Sequence, residues 1–169
     1  RALVVEEAVC GTRNPEWIAL RKAIRENVLD RGWSCKLGAF SGAYDQNFLD
    51  AAVLNMGLTG MLESSDSRWA ATVELIFREL RDGPTVRRYR IDDGLPGEEG
   101  GMHICTGWLI ESLLSLGRVE EATTLFDQFA AMFKGPGILT EQFDPQHGIA
   151  VGNLAQAYSH LGFIDAAVA

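Results

Sequence analysis

The sequence predicts an all-α chain of helical hairpins packed in two layers. Helices with one charged face alternate along it with helices that carry almost no charge, about three of each. The first kind suits an outer, half-wet layer and the second an inner layer covered all round. The long Gly- and Pro-punctuated loops precede the inner helices, which gathers them on one face. With 169 residues and 47% apolar content, one substantial core and a single domain are the default.

The elements follow in order. RALVVEEAV reads as helix from Arg1, without a Met, and the chain stops at Ala169 inside IDAAVA with no Gly or Pro stop signal. Both ends therefore read as cut, and the chain as a piece of a longer protein. Asn14 before Pro15 is an N-cap followed by proline at the first helical position, opening a helix to about Asp30. Trp17, Leu20, Ile24 and Val28 share one face of it, a stripe expected to be buried. Residues 33–44, WSCKLGAFSGAY, form a loop or short hairpin. Residues 46–60 are apolar nearly all round and read as a buried helix with Asp50 its only interior charge. Asp66 caps an amphipathic helix over 67–81. The segment 82–101 is a long polar loop, and long loops in compact domains are usually functional or disordered. Residues 101–116 form another nearly uncharged helix, 119–133 an amphipathic one, and 151–169 a last uncharged one.

Between the last two lies GILTEQFDPQHGIAVGNLAQAYSH, residues 137–160, an irregular loop that holds Glu141 beside Thr140, Gln142 and Phe143. Loops on a rigid scaffold concentrate binding and catalytic groups. Most other carboxylates sit at ordinary solvated helix spacing, whereas Glu141 is placed to face a polar ligand.

A net charge of −8 argues against a nucleic-acid partner, which needs a basic face. No apolar run is long enough to span a membrane. Three cysteines with no CxxC pair read as reduced, which points to the cytoplasm. Three histidines without ligand spacing make no metal site, and no organic cofactor is implied. From pattern alone, stacked hairpins are either a closed toroid or an open solenoid. LGRVEEATTLFDQF looks like a helix of a tetratricopeptide array, but that repeat has a period of about 34 residues. The inner helices here are spaced more widely, which favours the toroid.

Five blocks in one order resemble the catalytic domain of glycoside hydrolase family 15, the glucoamylases and their bacterial trehalase-like relatives. They are DRGWSCKLGAF, Tyr44-Asp45 with Leu49-Asp50, RYRIDDGLPGEEGG, HICTGWLIESLLSLGRVEEA and ILTEQFDPQHGIAVGNLAQAYSHLGFIDAA. The resemblance implies an (α/α)6 barrel of which residues 1–169 are the C-terminal half. It implies that Glu141 in LTEQFDP is the general base of an inverting glycosidase. In that plan one acid protonates the leaving oxygen while a carboxylate roughly 6.5–9.5 Å away activates water on the opposite face of the sugar. Arg90 matches an arginine that grips sugar hydroxyls, and a guanidinium fork suits paired oxygens. Tyr158 falls where fungal members have a Trp lining the pocket, and either ring can pack on a sugar face.

Glu98 and Glu99 sit on the pocket-side loop and could bond hydroxyls, while Trp33 and Tyr44 could line the mouth. Asp50 must be paired or pocket-facing, since a lone buried charge costs several kcal/mol. His103 and His160 read as hydrogen-bonded core residues. The family's general acid lies in a Trp-Glu-containing segment that nothing here matches, so the isolated chain is expected to be inactive, with a large apolar seam exposed. Its partners would be the missing N-terminal half, an α-glucoside (malto-oligosaccharide or trehalose, DDGLPGEEG tilting toward trehalose) and possible further copies of itself. Two other classes stay open: a helical-repeat interaction module with Glu141 in solvent, and a phosphorylase or epimerase on the same toroid. A phosphorylase would need a basic cradle from Arg87, Arg88 and Arg90.

Overall fold

The structure, a computed structural model, describes residues 2–92, 94, 97, 99–133 and 135–169. Its helices are α1 (Ala2–Cys10), α2 (Pro15–Arg31), α3 (Asn55–Leu58), α4 (Ser67–Glu79), α5 (His103–Ser115), α6 (Val119–Ala131) and α7 (Ala157–Val168), with a 3-10 turn at Ala51–Leu54. The chain is not all-α, however. Strands β1 (Trp33–Ser34) and β2 (Ala39–Phe40) form a small hairpin, as residues 33–44 allowed. A second, antiparallel sheet has the order β3-β4-β5-β6-β7, from Arg81–Asp82, Thr85–Val86, Gly101–Met102, Thr140–Asp144 and Ile149–Leu154. β4 and β6 lie in stretches expected to be loop, β3 and β5 straddle the two ends of the expected 82–101 loop and the helices beside it, and β7 overlaps the expected start of the last helix. Strands of two residues are too short to show a period of two, and Gly152 interrupts the alternation in β7.

Helix starts follow the capping chemistry. Asn14 Oδ1 accepts from the amides of Glu16 and Trp17, with Pro15 at the first helical position. Asp66 accepts from the Arg68 amide at 2.9 Å and pairs with its guanidinium, and that side-chain contact holds the Asp66 carboxyl below its ordinary range. The expected helix over 46–60 is instead an extended entry, the 3-10 turn and the single turn of α3. Asp50 caps the 3-10 turn through the Ala52 amide at 2.8 Å.

The core is built around α5, whose Cys105, Leu109, Ile110 and Leu113 are all buried. Trp69, Val73 and Ile76 of α4, Leu125 and Phe129 of α6, Leu54 and Val86 complete it. So α4 and α6 bury one stripe each while α5 is covered nearly all round, but α7, expected to be an inner helix as well, buries only Ser159, Gly162 and Ala166 and leaves Leu161 and Ile164 about half exposed. The α2 stripe departs from expectation: Trp17, Leu20 and Ile24 are about half exposed, because no described element covers them. They and α1 flank an open cavity of about 730 Å³ that reaches Gly57–Met61. No helix among the described residues is long and apolar enough to cross a membrane.

Two contacts fix α7. A Cβ on Gly107 of α5 would stand 2.3 Å from the Gly162 carbonyl oxygen, so the helices cross backbone to backbone. Phe163 stacks on Phe126 at 5.2 Å and meets Phe129 and Phe133 edge-on. His103 is the less comfortable resident. Its ring lies against Phe129 and Phe133, its Nδ1 is buried without a hydrogen-bond partner, and burial lowers its pKa to about 4.

Gly107→Ala is expected to push the α5–α7 crossing apart and cost roughly 1–3 kcal/mol by overpacking, read as a lower thermal midpoint. For His103 the folded pKa lies below the ordinary 6.5, so the unfolded chain takes up a proton first as pH falls. Stability is then lost progressively from pH 6.5 down to about 4, by about 3 kcal/mol in all. Urea midpoints at pH 7 and pH 4.5 test this, and His103→Phe should flatten the His103 share of the difference.

Candidate functional site

The segment around Glu141 is an ordered hairpin. Phe143 pairs with Ala150 and Asp144 with Ile149, and the turn Pro145–Gly148 closes them. Asp144 Oδ1 accepts from the Gln146 amide at 2.9 Å, while the Gly148 amide returns to the Asp144 carbonyl. Gly148 has φ +67, which the turn requires and a β-carbon would strain. Hydrogen bonding to His147 holds the Asp144 carboxyl below its ordinary range. These are the Asx-turn bonds that make Asp-Pro a turn signal.

Further along, the pairing slips. Thr140 faces Leu154 and Gln142 faces Val151, so Gly152 and Asn153 together oppose the single residue Glu141. Gly152 takes φ +78, the geometry of a bulge whose first residue is a left-handed glycine. Such bulges re-aim a side chain, and this one sets the Glu141 carboxylate over β7. Its Oε2 accepts from Asn153 Nδ2 at 2.9 Å and from the Asn153 amide at 3.3 Å. Glu141 is half-buried.

The hairpin is stitched at its base to α7. Ser159 Oγ donates to the Thr140 carbonyl at 2.7 Å, and the Leu139 amide donates to His160 Nε2 at 3.2 Å. His160 therefore carries its ring proton on Nδ1. These bonds place Tyr158, 64% exposed on the first turn of α7, beside the strand that carries Glu141. On its other edge β6 pairs with β5, Met102 opposite Gln142, and Gln142 Oε1 accepts from the Gly100 amide at 2.9 Å.

The three arginines of RRYR go to three different partners. Arg87 pairs with Asp82 at 2.9 Å and donates to the Glu99 carbonyl. Arg90 Nε donates to the Glu79 carbonyl at 2.7 Å, at the end of outer helix α4. Arg88 Nε stands 3.4 Å from Asp50 Oδ2, and its side chain remains 46% exposed. No shared anion cradle forms among them. Asp50 is thus paired, as its lone position on an apolar stretch required. Burial first, then the charges of Asp50 and Glu99, push the Cys105 thiol up to about 12, with Arg88 acting the other way.

The remaining expected site residues lie elsewhere. Glu98 falls outside the described residues, and Glu99 is exposed on the loop before β5. Trp33 packs edge-on against Phe40 at 5.3 Å, and Tyr44 lies under the Arg31 guanidinium at 4.6 Å. Trp33 and Arg31 line a polar cavity of about 560 Å³ with Lys36, Asp45 and Asn47. Glu141, Arg90 and Tyr158 line neither this cavity nor the one beside α2. Among the described residues no cluster of His, Cys, Asp or Glu is placed to hold a metal ion. Sequence reasoning passed over Asn153 and named Arg88 only as part of a phosphate cradle. Only their neighbours, a glycine within a strand-like run and a lone Asp on an apolar stretch, hinted at them.

No protein-family model matches the chain. It is 36% identical over 156 residues to a trehalase of Mycolicibacterium smegmatis, across 90% of this chain and 23% of that protein. A trehalase of Mycobacterium tuberculosis is 37% identical over 157 residues, and one of Thermoplasma volcanium 33% over 153. The chain thus spans about a quarter of the length of the curated relatives it matches, 23% and 25% for the first two. Among solved structures, a wild-type glycosidase superposes with a TM-score of 0.75 over 89% of this chain and 43% of its own, at 19% identity. A glycosidase variant solved in complex with glucose gives the same TM-score. At such identity the likeness shows a shared fold.

Proposed function

We infer, for a chain that belongs to the trehalase-like glycosidases, that it supplies the water-activating side of an α-glucoside hydrolase. The observation that carries this is the Glu141 carboxylate, set opposite a bulge and tied to Asn153 by two hydrogen bonds. With Oε2 so held, Oε1 takes the proton from a water that attacks the anomeric carbon. A second carboxyl group, on polypeptide beyond these residues, protonates the leaving oxygen from the opposite face. The outcome is hydrolysis with inversion, and the two carboxyl groups stand roughly 6.5–9.5 Å apart.

Around the sugar, Tyr158 offers its ring to the C–H face. The structure favours Arg88 over Arg90 as the hydroxyl-gripping arginine. Arg88 meets the buried carboxylate of Asp50 at the 3-10 turn, whereas Arg90 ties down the end of an outer helix. The dispersal of Arg87, Arg88 and Arg90 among separate partners favours hydrolysis over phosphorolysis, which needs a phosphate cradle. In the whole protein the helices close an (α/α)6 toroid, and further helices cover Trp17, Leu20 and Ile24 of α2 and the exposed Leu161 and Ile164 of α7. The substrate is trehalose, the sugar named by the relatives, with malto-oligosaccharide the competitor. No metal or organic cofactor enters the scheme.

Glu141→Gln in the full-length enzyme, assayed on trehalose and maltose, should lower kcat by on the order of 10²–10⁴ with the fold intact. Near-wild-type turnover on both sugars would remove the assignment. The 169-residue chain by itself should release no glucose from either sugar. Gly152→Ala puts a β-carbon 2.8 Å from Glu141 Cβ and 3.0 Å from Oε2, at a φ that L-residues avoid. Displacing the base in this way should cost on the order of 100-fold in kcat while KM changes little.

A further inference from the structure

Among the described residues Asp50 is the charged one most fully withdrawn from water, 8% exposed, and a base-and-subsite scheme leaves it without a task. Its two oxygens have separate duties. Oδ1 caps the 3-10 turn through the Ala52 amide at 2.8 Å, and Oδ2 faces Arg88 Nε at 3.4 Å. The backbones are locked as well, since the Ala51 amide donates to the Arg88 carbonyl at 2.7 Å. From the other side Gly42 presses close, where an added Cβ would stand 2.8 Å from Asp50 Cβ. The carboxylate is thus clamped on a rigid turn, while the guanidinium it meets is 46% exposed. A buried charge held rigidly against the inner edge of a half-exposed guanidinium aims the outer edge.

We propose that Asp50 is a positioning residue that holds Arg88 by its Nε edge, so that the two terminal nitrogens present a fixed fork to the hydroxyls of the bound glucosyl unit. The proposal rests on Arg88 being the sugar-gripping arginine, as inferred above. A guanidinium whose Nε is held has its plane set before the sugar arrives, so less rotamer freedom is lost on binding. A carboxylate suits the task because it meets the guanidinium charge to charge at 3.4 Å, which a neutral oxygen would not do. The cap on Ala52 asks only for an oxygen and explains neither the negative charge nor the pairing.

The test is a cycle in the full-length enzyme, with trehalose and maltose as probes and thermal midpoints alongside. Asp50→Asn and Asp50→Ser both keep an oxygen for the Ala52 amide and remove the charge that faces Arg88. Each should raise KM by about ten-fold, which corresponds to about 1.4 kcal/mol, with kcat changed less than three-fold. In an Arg88→Ala background neither should raise KM further. Additive effects on KM, or a fall in midpoint and kcat with KM unmoved, would make Asp50 a structural cap and overturn the proposal. Failure of both Asp50 variants to fold would do the same. Arg88→Ala alone separates the premise from the proposal. If it leaves KM unchanged, the subsite reading is wrong. If it raises KM while the Asp50 variants do not, only the positioning role is lost.

Discussion

A helix with no wet face has to be covered on every side, and α5 imposes that demand on the rest of this chain. Its buried residues face α4, α6, α7 and the sheet in turn. The sheet is joined to it by a hydrogen bond, the Val86 amide to Thr106 Oγ1 at 3.0 Å, since β4 brings a backbone donor into the interior that must be satisfied. On the opposite flank, glycine at 107 and 162 lets α7 approach until backbones touch. The position of α7 then dictates where Ser159 and His160 can reach, and they reach the start of β6. The placement of Glu141 is thus a remote consequence of an uncharged helix and two missing side chains.

The same burial forces each polar group near α5 to find its own settlement. Thr106 and Ser112 return their hydroxyls to carbonyls one turn back. Asp50 takes a cap and a guanidinium, while His103 takes no partner at Nδ1 and is held neutral among phenyl rings. Glu111, half-buried on α5, has its pKa raised by burial first and then by the charge of Asp165 on α7. These settlements differ in kind because the neighbours differ. Asp50 stands next to a loop with spare arginines, and Glu111 faces a helix that offers it another acid.

Much of this was legible in the sequence. The capped starts at Asn14 and Asp66, the buried inner helix and the half-wet α4 and α6 all follow from local chemistry and period. The sheet was not legible, because its strands are two to six residues long and get their hydrogen bonds from partners far apart in sequence, Gly101 from Phe143 for instance. Turn residues within 137–150 marked an irregular loop correctly at Asp144-Pro145, yet the same composition also suits a hairpin. The α2 stripe failed for a different reason. Periodicity shows which face of a helix is apolar and says nothing of what lies against it, and the described elements leave Trp17 and Leu20 about half exposed. For Glu141 the residue was legible and its geometry was not: the bulge that aims it depends on a two-against-one register that no single strand displays.

The arginine run shows where such reading stops. Arg87, Arg88 and Arg90 lie within four residues, and sequence alone cannot separate them, since all three are equally basic and equally loop-bound. The fold separates them by the acceptor each can reach: a carboxylate in the adjoining hairpin, a buried carboxylate on the 3-10 turn, and a carbonyl at a helix end. A carbonyl at a helix C-terminus attracts a cation through the dipole and holds the outer layer together. A buried carboxylate asks for more, because its charge must be met within the protein. That pairing meets Arg88 at its Nε edge while the side chain stays 46% exposed. Of the three, then, Arg88 is the one whose charge is balanced from behind by a buried carboxylate.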